Sequence, residues 1–228
     1  MPAAPHLQVI EAEPPGPAAA SVILLHGLGA DARDLHPLPP ALGLPSSLHV
    51  RYVFPSAPRM PVTINMGMIM PSWYDIRYIG AGGQDDAGIR RAATWIDELI
   101  AREAERGVPA GRVVLGGFSQ GGAMALFTGL RYREALAGLI CMSAYLPLAE
   151  TLDAEASAAN RSVPIFAAHG TLDPLVGVEL GRRSRDRLVE AGYAVEWREY
   201  PMEHQICGEE LSDIGRWLTG VLSPAAGV

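Results

Sequence analysis

The sequence predicts an α/β protein with a mostly parallel central sheet and helices on both faces. Three observations predict it. Short runs rich in Val, Ile and Leu recur along the chain, apolar at consecutive positions as in strands buried on both sides. Longer segments carry apolar residues at spacings of three and four, the mark of an amphipathic helix. The two kinds of segment alternate, which is the order of βαβ units.

The elements follow in order. A short strand at about 7–12 leads into the linker EPPGPAAA, 13–20, then into the strand SVILLH, 21–26. HVRYVF, 49–54, is a third strand bounded by turn residues. From Asp86, the residues Ile89, Ala92, Ala93, Ile96, Leu99 and Ile100 mark a helix that Gly107 and Pro109 stop. RVVLGGF, 112–118, is a strand, and a helix follows from Ala123. AGLICMSA, 137–144, and VPIFAAHG, 163–170, have strand length; 178–191 reads as a helix. VEWREY, 195–200, alternates as a strand, and an amphipathic helix runs from Leu211. The stretch between 144 and 163 leaves no room for an inserted lid domain, so the expectation is one domain, 1–228, with an open site.

Composition excludes several classes. At 49% hydrophobic and 19% charged the chain is globular. Its formal charge of -7 argues against a nucleic-acid partner. Two cysteines, Cys141 and Cys207, are too few for a disulfide framework and lack metal-site spacing, and both read as packing residues. No metal or cofactor is expected. There is no signal-peptide pattern and no apolar run long enough to span a bilayer, which predicts a cytoplasmic protein without a stable membrane anchor. Gly80-Ala81-Gly82-Gly83 lacks the lysine spacing of a phosphate loop and reads as a loop before the helix. A homodimer is left open.

Chemistry concentrates in Gly117-Phe118-Ser119-Gln120-Gly121, a G-x-S-x-G between a strand and a helix. This is the nucleophile elbow: the turn is so sharp that side chains two before and two after the serine would collide, so glycine occupies both places. A serine hydroxyl needs a base, and in this arrangement acid and then histidine follow it in the chain. Of the six histidines only His204, directly after the strand ending at Tyr200, lies late enough. Asp173 follows the strand 163–170 at the same sheet edge, whereas Asp153 and Asp186 lack that position. The oxyanion donors expected are the backbone N–H of Gln120 and, from the loop in LLHGLGAD, that of Leu28. His26 and Asp31 are candidates for orienting that loop.

Six segments, VILLHGLGAD, FPSAP, PSWYD, GGFSQGGAMAL, HGTLDPLV and MEHQIC, occur in an order that resembles the carboxylesterase and acyl-protein thioesterase (phospholipase/carboxylesterase) family of α/β-hydrolases, from about Ser21 to Leu222. The resemblance implies a Ser119–Asp173–His204 triad with Leu28 and Gln120 as oxyanion donors, acting on a small-molecule ester or an acylated substrate without a cofactor. TINMGMIM, 63–70, departs from the family pattern by carrying Met66 and Met68. Four of the eight methionines fall between Met60 and Met70. Such a polarizable stretch suits a flexible acyl chain, so Met66, Met68, Ile69 and Trp73 are the expected substrate-binding residues, with packing on the core as the alternative. The expected activity is a broad carboxylesterase for short- to medium-chain acyl groups; the alternative is an acyl-protein thioesterase or lysophospholipase.

Overall fold

A computed structural model describes residues 7–79 and 83–223; Gly80, Ala81 and Gly82 lie outside the described residues, and with them the expectation for that loop. Seven strands form one sheet: β1 (Gln8–Ala12), β2 (Ala20–Leu25), β3 (Val50–Ser56), β6 (Val113–Phe118), β7 (Gly138–Met142), β8 (Ile165–Gly170) and β9 (Val195–Tyr200). Their order is β1-β3-β2-β6-β7-β8-β9. Only β1 runs antiparallel to its neighbour; the other pairs are parallel.

Alternation along the strands sends successive side chains to opposite faces. Ile23, Leu25, Leu115 and Leu139 join a cluster with α3 (Asp86–Glu105), α4 (Gln120–Arg131) and α6 (Val178–Glu190). Val22, Leu24, Val114 and Ile140 join another with α1 (Ala32–Leu35), α2 (Pro39–Leu42) and α7 (Gly208–Leu222). Helices therefore cover both faces, as expected. On α3 the buried stripe is Ile89, Ala92, Trp95, Ile96, Leu99 and Ile100, and the Asp85 carboxylate caps its start by accepting from the Gly88 N–H.

Three features differ from the sequence expectation. Helix α4 begins at Gln120, immediately after Ser119, rather than at Ala123. Helix α7 begins at Gly208, with the Cys207 sulfur accepting from the Glu210 N–H, so Cys207 caps a helix as well as packing against the core. The methionine-rich segment is an antiparallel ribbon of β4 (Arg59–Val62) and β5 (Met68–Pro71), separate from the main sheet. Between β7 and β8 the chain makes only 3-10 turns and the short α5 (Leu152–Glu155).

Candidate active site

The parallel strands end at one edge of the sheet, and the loops that leave β2, β6, β8 and β9 meet there. Ser119 joins β6 to α4 with φ 53 and ψ -120, a left-handed conformation rare for a side-chain-bearing residue and costing of order 1–3 kcal/mol. Its N–H is anchored 2.8 Å from the Met142 carbonyl at the end of β7. A Cβ at Gly117 would stand 2.4 Å from the Gly121 carbonyl carbon. A Cβ at Gly121 would stand 2.0 Å from the Leu25 oxygen, so the second glycine is required by the neighbouring β2 loop rather than by Gly117.

Ser119 Oγ lies 2.9 Å from Nε2 of His204, whose Nδ1 lies 2.6 Å from Oδ2 of Asp173. A carboxylate only accepts, so Nδ1 carries the ring proton and Nε2 is left to accept from the serine hydroxyl. Asp173 is buried, and its Oδ1 accepts the backbone N–H groups of Leu175 (2.9 Å) and Val176 (2.8 Å). The Phe118 ring packs against His204 with centroids 4.7 Å apart. Gly170 allows this approach: a Cβ there would stand 2.4 Å from the Met202 oxygen in the loop that carries His204. Asp153 pairs with Arg187 and Asp186 with Arg185, both away from this chain of contacts.

Leu28 and Gln120 border the same pocket as Ser119 and His204, and neither backbone N–H has an acceptor among the described residues. Two amides with no internal acceptor beside a hydroxyl are suited to hold a carbonyl oxygen as it gains negative charge. The Gln120 side chain has a separate task. Its Oε1 accepts from Trp73 N–H (3.0 Å) and its Nε2 donates to the Tyr74 carbonyl (2.8 Å), tying segment 72–74 to the elbow.

The pocket has a volume of about 400 Å³. Its apolar wall comes from Ile64, Ile76, Ile79, Phe118, Leu175 and Val176, with the phenols of Tyr74 and Tyr145 alongside. The expected wall is found only in part: Ile64 and Asn65, within segment 63–70, border the pocket. Met66, Met68 and Ile69 are 95%, 60% and 58% exposed and do not border the pocket, whereas Val62 of the same ribbon is fully buried. Trp73 does not border it either; it is fully buried and its Nε1–H donates to the His26 carbonyl (3.0 Å). Asp31 caps α1 by accepting from the Arg33 N–H and makes no bond to the 27–29 loop.

Sequence reasoning missed His169. It is buried at the end of β8, and its Nε2–H donates to the Val176 carbonyl (2.7 Å), bracing the loop that holds Asp173; burial lowers its pKa and favours the neutral ring. The signal was present: His169-Gly170 repeats His26-Gly27, the first pair ending β8 and the second following β2. Cys141 is buried and its thiol is pushed up to about 12 by that burial, as suits a packing residue. Among the described residues no group of three His, Cys, Asp or Glu side chains could hold a metal ion, and no helix is long and apolar enough to cross a membrane.

The family model described as phospholipase/carboxylesterase matches residues 5–222. The chain belongs to that family. Its α/β-hydrolase fold accords with the sheet order and the elbow described above. Acyl-protein thioesterase 1 of Neurospora crassa is 42% identical over 219 residues, covering 91% of this chain and 89% of that protein. Acyl-protein thioesterase 1 of Yarrowia lipolytica is 40% identical over 205 residues, covering 87% and 90%. Among solved structures, Arabidopsis thaliana SOBER1 superposes with a TM-score of 0.85 at 29% identity, covering 90% of this chain and 99% of that one. Zea mays acyl-protein thioesterase 2 superposes with a TM-score of 0.83 at 28% identity, covering 95% and 99%.

Proposed function

We propose that this family member is a serine hydrolase whose main substrates are acyl thioesters, with carboxylic esters accepted as well. The observation that carries the hydrolase reading is the continuous chain Ser119–His204–Asp173 opening onto an apolar pocket beside two amides without internal acceptors. In this reading Ser119 Oγ attacks the acyl carbonyl while His204 Nε2 takes its proton. Asp173 holds the ring in the Nδ1–H tautomer and stabilises the imidazolium. The N–H groups of Leu28 and Gln120 receive the oxyanion, and His204 then protonates the departing thiol or alcohol. Water, activated by His204, hydrolyses the acyl-Ser119 ester and restores the hydroxyl.

The fungal relatives, acyl-protein thioesterases by name, favour thioesters on acylated proteins over the short- to medium-chain ester preference expected from the sequence. The aliphatic wall of Ile64, Ile76, Ile79 and Leu175 supports an acyl chain as the recognised group. The short connection between β7 and β8 supports access by a large acylated partner.

The test compares kcat/KM for an S-palmitoyl cysteine peptide with that for p-nitrophenyl acetate and butyrate. The thioester reading expects the palmitoyl peptide to be preferred by about tenfold or more, a margin of about 1.4 kcal/mol in transition-state binding. Preference for acetate with no turnover of the peptide would return the protein to the small-ester class.

A further inference from the structure

The peptide bond between Gly27 and Leu28 carries the Gly27 carbonyl and the Leu28 N–H. In a trans peptide these groups point in opposite directions, so whatever holds the carbonyl also aims the N–H. Within the loop a single backbone bond, from the Ala30 N–H, holds this peptide, while the next N–H, that of Gly29, donates to the Pro71 carbonyl at 2.9 Å. A flip of this peptide turns on ψ of Gly27 and φ of Leu28, and Gly27, having no Cβ, permits it. A side chain at either glycine would be strained. A Cβ at Gly27 would stand 3.3 Å from Cβ of Ser119, and Gly29 occupies a conformation that side chains disfavour.

A clamp is present on the carbonyl side. Nδ1–H of His26 donates to the Gly27 oxygen at 2.7 Å, with a longer bond from the Ala30 N–H at 3.2 Å. The other ring nitrogen, Nε2, accepts the Ala57 N–H at 2.9 Å. A nitrogen that accepts an N–H carries no proton, so the proton is on Nδ1 and both bonds are met only by the neutral ring. His26 is fully buried, and desolvation lowers its pKa against the opposing pull of the Gly27 bond and of Asp31 and Asp34. The ring also packs on Trp73, with centroids 5.3 Å apart.

We propose that His26 is a positioning residue for acyl transfer: by gripping the Gly27 carbonyl it turns the Leu28 N–H toward the oxygen of an acyl group bound at Ser119. The inference rests on the reading of Leu28 as an oxyanion donor. Without the grip, the peptide is held by Ala30 alone, and a flipped peptide would face the developing oxyanion with a carbonyl oxygen instead of a donor.

Two substitutions separate the two ring nitrogens. Asparagine places an amide N–H near the position of Nδ1 and keeps the grip on Gly27. Glutamine places its amide near Nε2 and keeps only the bond to Ala57. The experiment measures kcat and KM of wild type, H26N, H26Q, H26A and S119A on p-nitrophenyl butyrate and on its thionoester, with folding checked by circular dichroism. H26Q and H26A are expected to lose about 10- to 100-fold in kcat with KM nearly unchanged, somewhat less than complete loss of one oxyanion donor. The ratio of oxoester to thionoester rates is expected to fall about tenfold in both, because aligned N–H donors favour a developing oxygen anion over the larger sulfur anion. H26N is expected to recover most of the rate and the ratio.

Wild-type kcat in H26Q would overturn the inference. So would a loss of kcat with an unchanged ratio, or an H26N no better than H26Q. The Asn and Gln pair carries this comparison even where H26A does not fold. Full activity in S119A would overturn the hydrolase reading itself, and this inference with it.

Discussion

Nδ1 of His204 lies 2.6 Å from Oδ2 of Asp173, and the other carboxylate oxygen accepts two backbone N–H groups. This division of labour predicts the behaviour of Asp173→Asn. The Asn oxygen would keep the Leu175 and Val176 bonds, which turns the amide NH2 toward His204. The ring must then present a lone pair at Nδ1 and a proton at Nε2, so it can no longer accept from Ser119. A loss of about 10⁴ in kcat is expected, with the fold retained. Steady-state kinetics and a melting curve check it; a loss under tenfold would remove Asp173 from the mechanism.

Gly121 and Gly220 are both helical glycines but should answer oppositely to alanine. A Cβ at Gly121 would meet the Leu25 oxygen at 2.0 Å, whereas nothing lies within 4 Å of one at Gly220. Gly121→Ala is expected to yield little folded protein. Gly220→Ala, in the last turns of α7, is expected to stabilise by about 0.5–1 kcal/mol. Denaturant melts of the two variants decide the matter, and an unperturbed Gly121→Ala would contradict the close approach of α4 to the β2 loop.

Glu210 is buried in the first turn of α7, with no partner for either carboxyl oxygen among the described residues. Burial pushes its carboxyl from the ordinary 4.5 up to about 8. Below pH 4.5 folded and unfolded chains both hold this proton, and the group's contribution to stability is full. As pH rises toward 8 the unfolded chain releases the proton while the folded chain keeps it, so stability falls, by up to about 1.4 kcal/mol per pH unit. Glu210→Gln removes that titration. The melting temperature of the variant relative to wild type should therefore climb between pH 5 and 8; a constant difference would rule out the buried neutral carboxyl.

Met66→Ser and Met68→Ser should leave kcat/KM for p-nitrophenyl butyrate within about twofold of wild type, as expected for exposed side chains outside the pocket. Ile76→Ala should instead shift the preferred acyl length, because Ile76 borders the cavity. Equal responses from the ribbon and from Ile76 would put the acyl wall back on the methionines.

The strands and the elbow were readable from the chain because both have strong local signals. Five of the six residues of β2 are apolar, and β9 falls on its expected span, 195–200. The start of α4 was hidden: Gly121 and Gly122 are poor helix formers, yet the elbow demands glycine where the helix begins. The methionine ribbon misled for a different reason. Apolar composition does not say which face of a ribbon is covered: Val62 is fully buried while Met68 and Ile69 are exposed, and that is a property of the whole fold. The pocket wall was out of reach because Ile64, Ile76, Phe118 and Leu175 come together from separate segments of the chain. The roles of His26 and His169 depend on ring orientation, which spacing does not encode.

The central claim is that Ser119 carries the acyl group during turnover. The most direct measurement is intact-mass and peptide-mass spectrometry of wild type and Ser119→Ala after reaction with a fluorophosphonate, alongside residual esterase activity. The account predicts a single adduct on the Ser119 peptide, inactivation in proportion to labelling, and neither labelling nor activity in the variant. An adduct on another residue, or an active Ser119→Ala, would contradict it.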